Sequence, residues 1–277
     1  MNEVWASHVD GLDVVTDGAV LRVTLQRPEK RNAMTTAMFD GIADAIDHAV
    51  ADDTIRVVVI RGAGDHFCSG AQVGTPEASN GPDDEKPARP RTGHLQRTLH
   101  ASPHRMIRTL FEAEVPIVTG VQGYAAGIGN SLALSGDHVV ATRSARFWVP
   151  FVTRGFTPDS GSTYLLPRLI GVARAKEMIL RGKQVDGERA AQWGMINEVV
   201  DDDALDDAVE AVVQEFAAAA TVSVGLAKQL MFRNLSGDLN GALEQEGLAE
   251  ELAVRSDDFK EGMRAFVQRR DPDYQGR

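Results

Sequence analysis

The sequence predicts an α/β fold in which short buried strands alternate with amphipathic helices. Three observations support this prediction. Several short segments are rich in valine and isoleucine, which is typical of buried strands. Glycines directly follow two of these segments, and stretches with helical periodicity lie between and after them. Because loops at strand ends carry the functional groups of such folds, we expect the site in those loops.

The predicted elements of the first half follow in this order. Ala19–Leu25 is the first strand, and Thr35–Ala51 is a helix whose apolar residues recur on one face. Arg56–Arg61 is a second strand that runs into a glycine turn. Pro116–Val121 is a third strand before another glycine cluster, and His138–Ala141 is a fourth.

The last third of the chain is predicted to be helical. Three amphipathic segments occur there, namely Ala204–Ala219, Leu243–Arg255 and Asp257–Arg270. The last segment begins with acids and ends with bases, which suits the helix dipole. We therefore expect a core over residues 1–200 and a C-terminal helical region over residues 201–277, which forms either a separate lobe or an oligomer interface.

One segment interrupts the alternation of strands and helices. Residues 74–93 are rich in proline, glycine and charged residues and carry almost no apolar residues. This composition predicts a mobile insertion. Two interpretations stay open for it, a lid that gates a substrate and a solvated loop without function.

Composition narrows the choice of partners and compartment. The net charge of −11 over 277 residues argues against a nucleic acid or an anionic membrane as the main partner, although local basic residues still allow an anionic small molecule. The single cysteine, Cys68, excludes an internal disulfide and suits a reducing cytoplasm. The N-terminus lacks the pattern of a signal peptide, and the apolar stretches are shorter than a membrane span. We expect a cytoplasmic protein.

Two glycine-rich loops are the strongest site candidates. Gly62–Gly74 (GAGDHFCSGAQVG) follows a predicted strand, and Gly123–Ser131 (GYAAGIGNS) leads into an apolar segment. Glycines let backbone amides approach a ligand without intervening side chains. The spacing matches neither a dinucleotide loop nor a P-loop. Two loops that each present one amide suit an oxyanion formed from a thioester carbonyl.

Six runs along the chain occur in the order and at the spacing of one known family. They are LQRPEKRNAM at 25–34, RVVVIRGAGDHFCSGAQV at 56–73, VPIVTGVQGYAAGIGNSLALSGDHVVAT at 115–142, FTPDSGSTYLLPRLIG at 156–171, AAQWGMINEVV at 190–200 and DDFKEGMRAF at 257–266. On these motifs the chain resembles the crotonase, or enoyl-CoA hydratase/isomerase, superfamily. The resemblance covers nearly the whole chain apart from the insertion.

The resemblance implies a fold, an assembly and a substrate class. The fold is a spiral of ββα repeats with a C-terminal helical trimerisation region, and the assembly is a homotrimer or hexamer. The substrate is an acyl-CoA thioester, so coenzyme A enters with the substrate and no separate cofactor is expected. By motif position, the thioester oxygen accepts hydrogen bonds from the amides of Ala71 and Ile128, the latter standing where the family most often has glycine. Lys30 and Arg31 lie where the family contacts CoA, and a solvated turn is their alternative reading.

Two residues that depart from the family pattern distinguish between the hydratase and the isomerase reactions of the family. Hydratases of the family use two glutamates, and their positions carry Ser131 and Phe151 here. Addition of water needs one group to deprotonate the water and another to protonate carbon. The resemblance therefore disfavours ordinary hydration of an enoyl-CoA.

A single acid, Asp159, remains as the candidate acid/base. It stands where some family isomerases carry their working acid, including the isomerase of ring-1,2-epoxyphenylacetyl-CoA. Local sequence offers an alternative, because an Asp between Pro and Ser-Gly-Ser is also typical of a helix N-cap. The predicted function is an acyl-CoA isomerase. A hydratase-like enzyme and a non-catalytic acyl-CoA-binding protein are the alternatives.

The pocket around this acid is expected to be apolar. Its predicted lining residues are Ser131, Trp148, Phe151 and Phe156, of which Ser131 either caps a helix or faces the pocket. No metal site is expected, because the histidines show no recognisable ligand spacing. Cys68 has no nearby base and is interpreted as a small packed residue.

Overall fold

The structure, a computed structural model, describes residues 9–72 and 90–277 and has the expected α/β architecture. Its strands are β1 (Leu12–Asp17), β2 (Val20–Leu25), β3 (Val57–Gly62), β4 (Ile117–Val121), β5 (Tyr124–Ala126), β6 (His138–Thr142), β7 (Arg146–Trp148), β8 (Val185–Asp186) and β9 (Glu198–Val200). The four strands predicted from sequence are confirmed, with ends that differ by one residue or less. Most of the predicted insertion lies outside the described residues.

The strands form two sheets. The larger sheet has the order β1-β2-β3-β4-β6-β9, antiparallel between β1 and β2 and parallel elsewhere. The smaller sheet has the order β5-β7-β8. A strand of the larger sheet, a strand of the smaller sheet and a helix follow one another twice along the chain. These ββα units give the spiral that the motif pattern implied.

Helices cover the sheets and build the C-terminal region. They are α1 (Thr36–Ala51), α2 (His94–Ala101), α3 (Pro103–Glu112), α4 (Ile128–Ala133), α5 (Ser162–Arg181), α6 (Gly187–Gln192), α7 (Leu205–Ala217), α8 (Thr221–Asn234), α9 (Leu239–Ala253) and α10 (Asp257–Gln268). Short 3-10 turns occupy Pro28–Lys30 and Val152–Arg154. In the described part of the chain, no single helix is long and apolar enough to span a membrane. The consecutive helices α7 and α8 reach that length and hydropathy only when they are counted together, and the bend between them is 105°.

Both faces of the larger sheet are covered, which explains its valine-rich strands. In β3, Val58 and Ile60 point into the main core, whereas Val57 and Val59 pack against α7 on the opposite face. Leu205 and Val209 are among the α7 residues that cover this second face. The sheet is thereby fixed from both sides, and the loops after β3 and β4 are held in place.

A buried ion pair attaches α8 to the sheet. Lys228 Nζ lies 2.7 Å from Asp137 Oδ2, which also accepts from the Ile117 amide at 2.8 Å. Lys228 donates further to the Val115 carbonyl at 3.1 Å. Burial raises the pKa of Asp137 and lowers the pKa of Lys228, but each group opposes the shift in the other. The pair is thus satisfied by hydrogen bonds on both sides.

Candidate active site

The two glycine-rich loops predicted from sequence meet in the structure. Cys68 forms a bridge with Ala125, in which the Cys68 amide donates to the Tyr124 carbonyl at 2.8 Å. The Ala126 amide donates in return to the Cys68 carbonyl at 2.9 Å. The loop after β3 is therefore joined by backbone hydrogen bonds to β5, the strand that precedes α4.

Glycines make this close approach possible. A Cβ added to Gly70 would lie 3.0 Å from the Ala126 carbonyl oxygen. Gly127 has φ 56° and ψ −125°, a combination that side chains disfavour. A Cβ on Gly127 would lie 3.7 Å from the Phe151 ring and 4.0 Å from the Gly70 Cα. Two backbones and one aromatic ring thus converge at this point.

The amides of Ala71 and Ile128 are both available at this junction. Within the described residues neither amide donates a hydrogen bond to a protein acceptor. Ile128 is the first residue of α4, where an amide has no acceptor in its own helix. Ala71 lies between Gly70 and Gln72, whose backbone groups bond to Met34 instead. Ile128 is buried, and buried amides are normally paired, so its free amide indicates a place for a ligand oxygen. Ala71 is exposed, and its amide is free at the same junction.

Both amides border one cavity of about 240 Å³. Its described lining residues are Met34, Thr36, Phe39, Ser69, Gly70, Ala71, Gln72, Thr98, Leu99, Pro103, Gly127, Ile128, Pro150, Phe151, Arg154, Phe156, Asp159 and Ser160. Asp159 is the one acid among them, and Arg154 is the one base. The structure thus brings together the predicted acid/base, the predicted amide pair and two of the predicted aromatic walls.

Asp159 does not cap the following helix. The residue that precedes α5 is Gly161, with φ 85°, and no side chain caps that end. Ser160 has φ 58°, and its hydroxyl donates to Asp159 Oδ1. The helix instead uses the backbone carbonyl of Asp159, which accepts from the Ser162 amide at 3.3 Å. The helix-cap alternative for the carboxylate is therefore wrong, and the half-buried carboxylate belongs to a residue of the cavity wall.

A histidine lies near Asp159 that the sequence did not identify as part of the site. His104 stands in the first turn of α3, next to the lining residue Pro103. The turn at Gly161 packs on the same helix, since a Cβ there would lie 3.8 Å from Ile107. Burial lowers the pKa of His104, while the charge of Asp159 acts to raise it. Burial therefore favours the neutral imidazole.

The aromatic residues form a wall on one side of the cavity. The rings of Phe151 and Phe156 meet edge to face, with centroids 5.4 Å apart. Phe151 is 6% exposed, whereas Phe156 is 49% exposed and lies at the rim. An acyl group bound here would meet apolar surface beyond the amide pair.

Four predicted site residues lie outside the cavity lining. Ser131 is fully buried, and its hydroxyl lies 3.1 Å from that of Ser162. The Trp148 indole donates to the Gly182 carbonyl at 2.8 Å. Lys30 and Arg31 are exposed on a turn whose carbonyls accept from Ser69, a lining residue. Lys30 and Arg31 therefore contact a lining residue but are not part of the cavity lining.

The Cys68 thiol is packed in the main core. Cys68 is fully buried, and burial raises the pKa of its thiol to about 12, so it is not a nucleophile at neutral pH. Within residues 9–72 and 90–277, no group of three His, Cys, Asp or Glu side chains is placed to hold a metal ion.

Comparison with known proteins identifies relatives of both reaction types. The sequence profile of the enoyl-CoA hydratase/isomerase family matches residues 16–277. The 1,2-epoxyphenylacetyl-CoA isomerase of Escherichia coli (strain K12) is 36% identical over 277 residues, covering 100% of both chains. The 2,3-dehydroadipyl-CoA hydratase of that strain is 31% identical, covering 93% of this chain and 96% of the relative. A solved enoyl-CoA hydratase subunit from Geobacillus kaustophilus HTA426 has a TM-score of 0.85 at 29% identity, covering 98% of this chain and 100% of that one.

Proposed function

This chain belongs to the enoyl-CoA hydratase/isomerase family, and we propose that it is an acyl-CoA isomerase that uses Asp159 as its acid/base. The observation that carries this proposal is the composition of the cavity wall. Asp159 is the one acid among its described residues. Phe151, which by motif position stands where the hydratases have one of their two glutamates, lines the same cavity. The other position, Ser131, is buried away from the cavity lining.

The geometry supports a proton shuttle between two carbons. The thioester oxygen accepts from the Ala71 and Ile128 amides, which stabilise the negative charge that develops there. The Asp159 carboxylate removes a proton from the α or γ carbon, and the electron pair moves into the carbonyl to give an enolate. The resulting carboxylic acid returns the proton to another carbon as the enolate collapses. No water is consumed, and the double bond or ring adduct is rearranged.

A hydratase is the second candidate, because a relative named as a hydratase is 31% identical over most of the chain. It would require Asp159 to activate water while a second group protonates carbon. No second acid borders the described part of the cavity. The isomerase is favoured for that reason, and by the full-length match to a relative named as an isomerase.

Coenzyme A is proposed as part of the substrate, with no further cofactor. Lys30 and Arg31 stand on the exposed turn beside Ser69 at the edge of the cavity. Two cations at this edge suit the phosphates of a CoA thioester whose acyl end reaches the amide pair. This placement favours a CoA contact for them over a merely solvated turn.

A homo-oligomer, a trimer or a hexamer, is proposed from the C-terminal helices. Within the described residues, α9 buries no side chain, although it carries Leu239 and Leu252, which are 72% and 58% exposed. On α10, Phe266 is 80% exposed. Apolar surface of this extent on adjacent helices indicates a protein contact. A monomeric mass in sedimentation equilibrium would contradict the assembly.

Solvent-deuterium exchange tests the reaction type. Linear 3-enoyl, dienoyl and aryl-acetyl CoA thioesters are incubated with the protein in D2O, and products are analysed by mass and position of label. From the enoyl and dienoyl thioesters we expect isomerised product with deuterium at the α or γ carbon and no added water. From the aryl-acetyl thioesters we expect deuterium at the α carbon alone. Hydration of crotonyl-CoA at a comparable rate would contradict the isomerase, and tight binding without exchange or turnover would indicate the non-catalytic alternative.

A further inference from the structure

Arg154 is the one cationic residue among the described residues of the cavity wall. It ends the short turn Val152–Arg154 and borders the same cavity as Asp159. The sequence motifs did not single it out. In a chain with a net charge of −11, the general field repels anions, so a cation at this position changes what the cavity accepts.

Its guanidinium has no acidic partner within the described residues. Several other arginines of this chain are paired with acids, for example Arg105 with Asp44 at 2.7 Å and Arg143 with Asp201 at 2.7 Å. Its Cζ lies 5.1 Å from the centroid of the Trp148 ring, on which the guanidinium stacks. Such stacking leaves the guanidinium donors free for hydrogen bonds.

The local backbone places Arg154 beyond the aromatic wall. The Phe151 ring stands next to Gly127, beside the Ile128 amide. The Phe151 carbonyl accepts from the Arg154 amide at 3.0 Å and from the Phe156 amide at 3.2 Å. An acyl chain that begins at the amide pair and follows the Phe151 ring therefore runs towards the turn that carries Arg154.

We propose that Arg154 determines acyl specificity by binding a carboxylate at the distal end of the acyl group, so that CoA thioesters of dicarboxylic acids are preferred. The inference rests on the proposed function in that it uses the same acyl cavity. A guanidinium matches a carboxylate with two parallel hydrogen bonds.

Binding of saturated thioesters tests this without turnover. Dissociation constants are measured for succinyl-, glutaryl- and adipyl-CoA, each paired with the neutral acyl-CoA of equal carbon number. For at least one chain length we expect the wild type to bind the dicarboxylic thioester about fivefold more tightly, the gain typical of a solvent-accessible ion pair. Arg154→Leu is expected to lose that preference, and Arg154→Lys to keep part of it.

Arg168→Leu is the matched control. Arg168 is exposed and stacks on Tyr164 with its Cζ 3.7 Å from the ring centroid, but it does not border the cavity. It is expected to keep the wild-type preference. Equal binding of both thioesters at every length, or an equal loss for both in Arg154→Leu, would overturn the proposal. Asp159→Asn is expected to retain the wild-type preference for dicarboxylic thioesters, because binding of a saturated thioester involves no proton transfer. A failure of the isomerase proposal would therefore appear in the exchange experiment and leave this binding preference unchanged.

Discussion

Asp159→Asn is expected to lower the rate of proton exchange and isomerisation by about 10²- to 10⁴-fold, the range for removal of a general acid/base. Asparagine keeps the size of the side chain and can still accept from the Ser160 hydroxyl, but it cannot take a proton from carbon. Binding of saturated acyl-CoA should stay unchanged, because the amide pair and aromatic wall are intact. The readout is deuterium incorporation together with a dissociation constant.

The conditions and control for this variant follow from the surroundings of Asp159. Measurements are made above pH 7, because burial lowers the pKa of His104 and a higher pH further favours its neutral imidazole in both proteins. Asp53→Asn, an exposed change outside the cavity lining, is the control and should match the wild type. Exchange that persists in Asp159→Asn at the wild-type rate would refute the assigned role.

The sequence predicted the strands well because each is a short apolar run with both faces buried. It missed α2, which is short, and α3, which buries Met106, Ile107 and Leu110 on one face. Within the described residues α2 buries no side chain, and Leu95 and Leu99 alone are too few apolar positions to establish a helical period. The helix predicted from Leu243 begins four residues earlier, at Leu239, where the Asp238 side chain accepts from the Gly241 amide and caps it.

The sequence predicted only those site residues that lie within its motifs. Ala71, Ile128 and Asp159 lie in runs with family spacing, and the structure gathers them around one cavity. For Asp159 the local pattern favoured a helix cap, which the positive φ of Ser160 and Gly161 prevents. His104 reaches the site only because α3 packs on the turn after Asp159, which is a long-range contact. Single-sequence patterns carry no signal for such contacts.

Gly127→Ala tests the second half of the site, the amide pair. The ψ of Gly127, −125°, sets the direction of the Ile128 N–H, and a Cβ disfavours this conformation by about 1–3 kcal/mol. Space is available, because the added Cβ would meet the Phe151 ring at an ordinary 3.7 Å. The strain is therefore expected to relax by turning the peptide between Gly127 and Ile128 away from the thioester oxygen. We expect turnover to fall about 10²-fold, as for the loss of one oxyanion donor.

Gly194→Ala separates this effect from general instability. Gly194 also has a positive φ, 71°, but a Cβ there meets no atom within 4 Å, and Gly194 does not border the cavity. Both variants should lower the midpoint of thermal unfolding, since each places a side chain in a left-handed backbone conformation. Only Gly127→Ala should lose exchange activity. If the two variants keep the same exchange rate, the Ile128 amide does not hold the thioester oxygen, and the charge that develops in the reaction must be stabilised elsewhere.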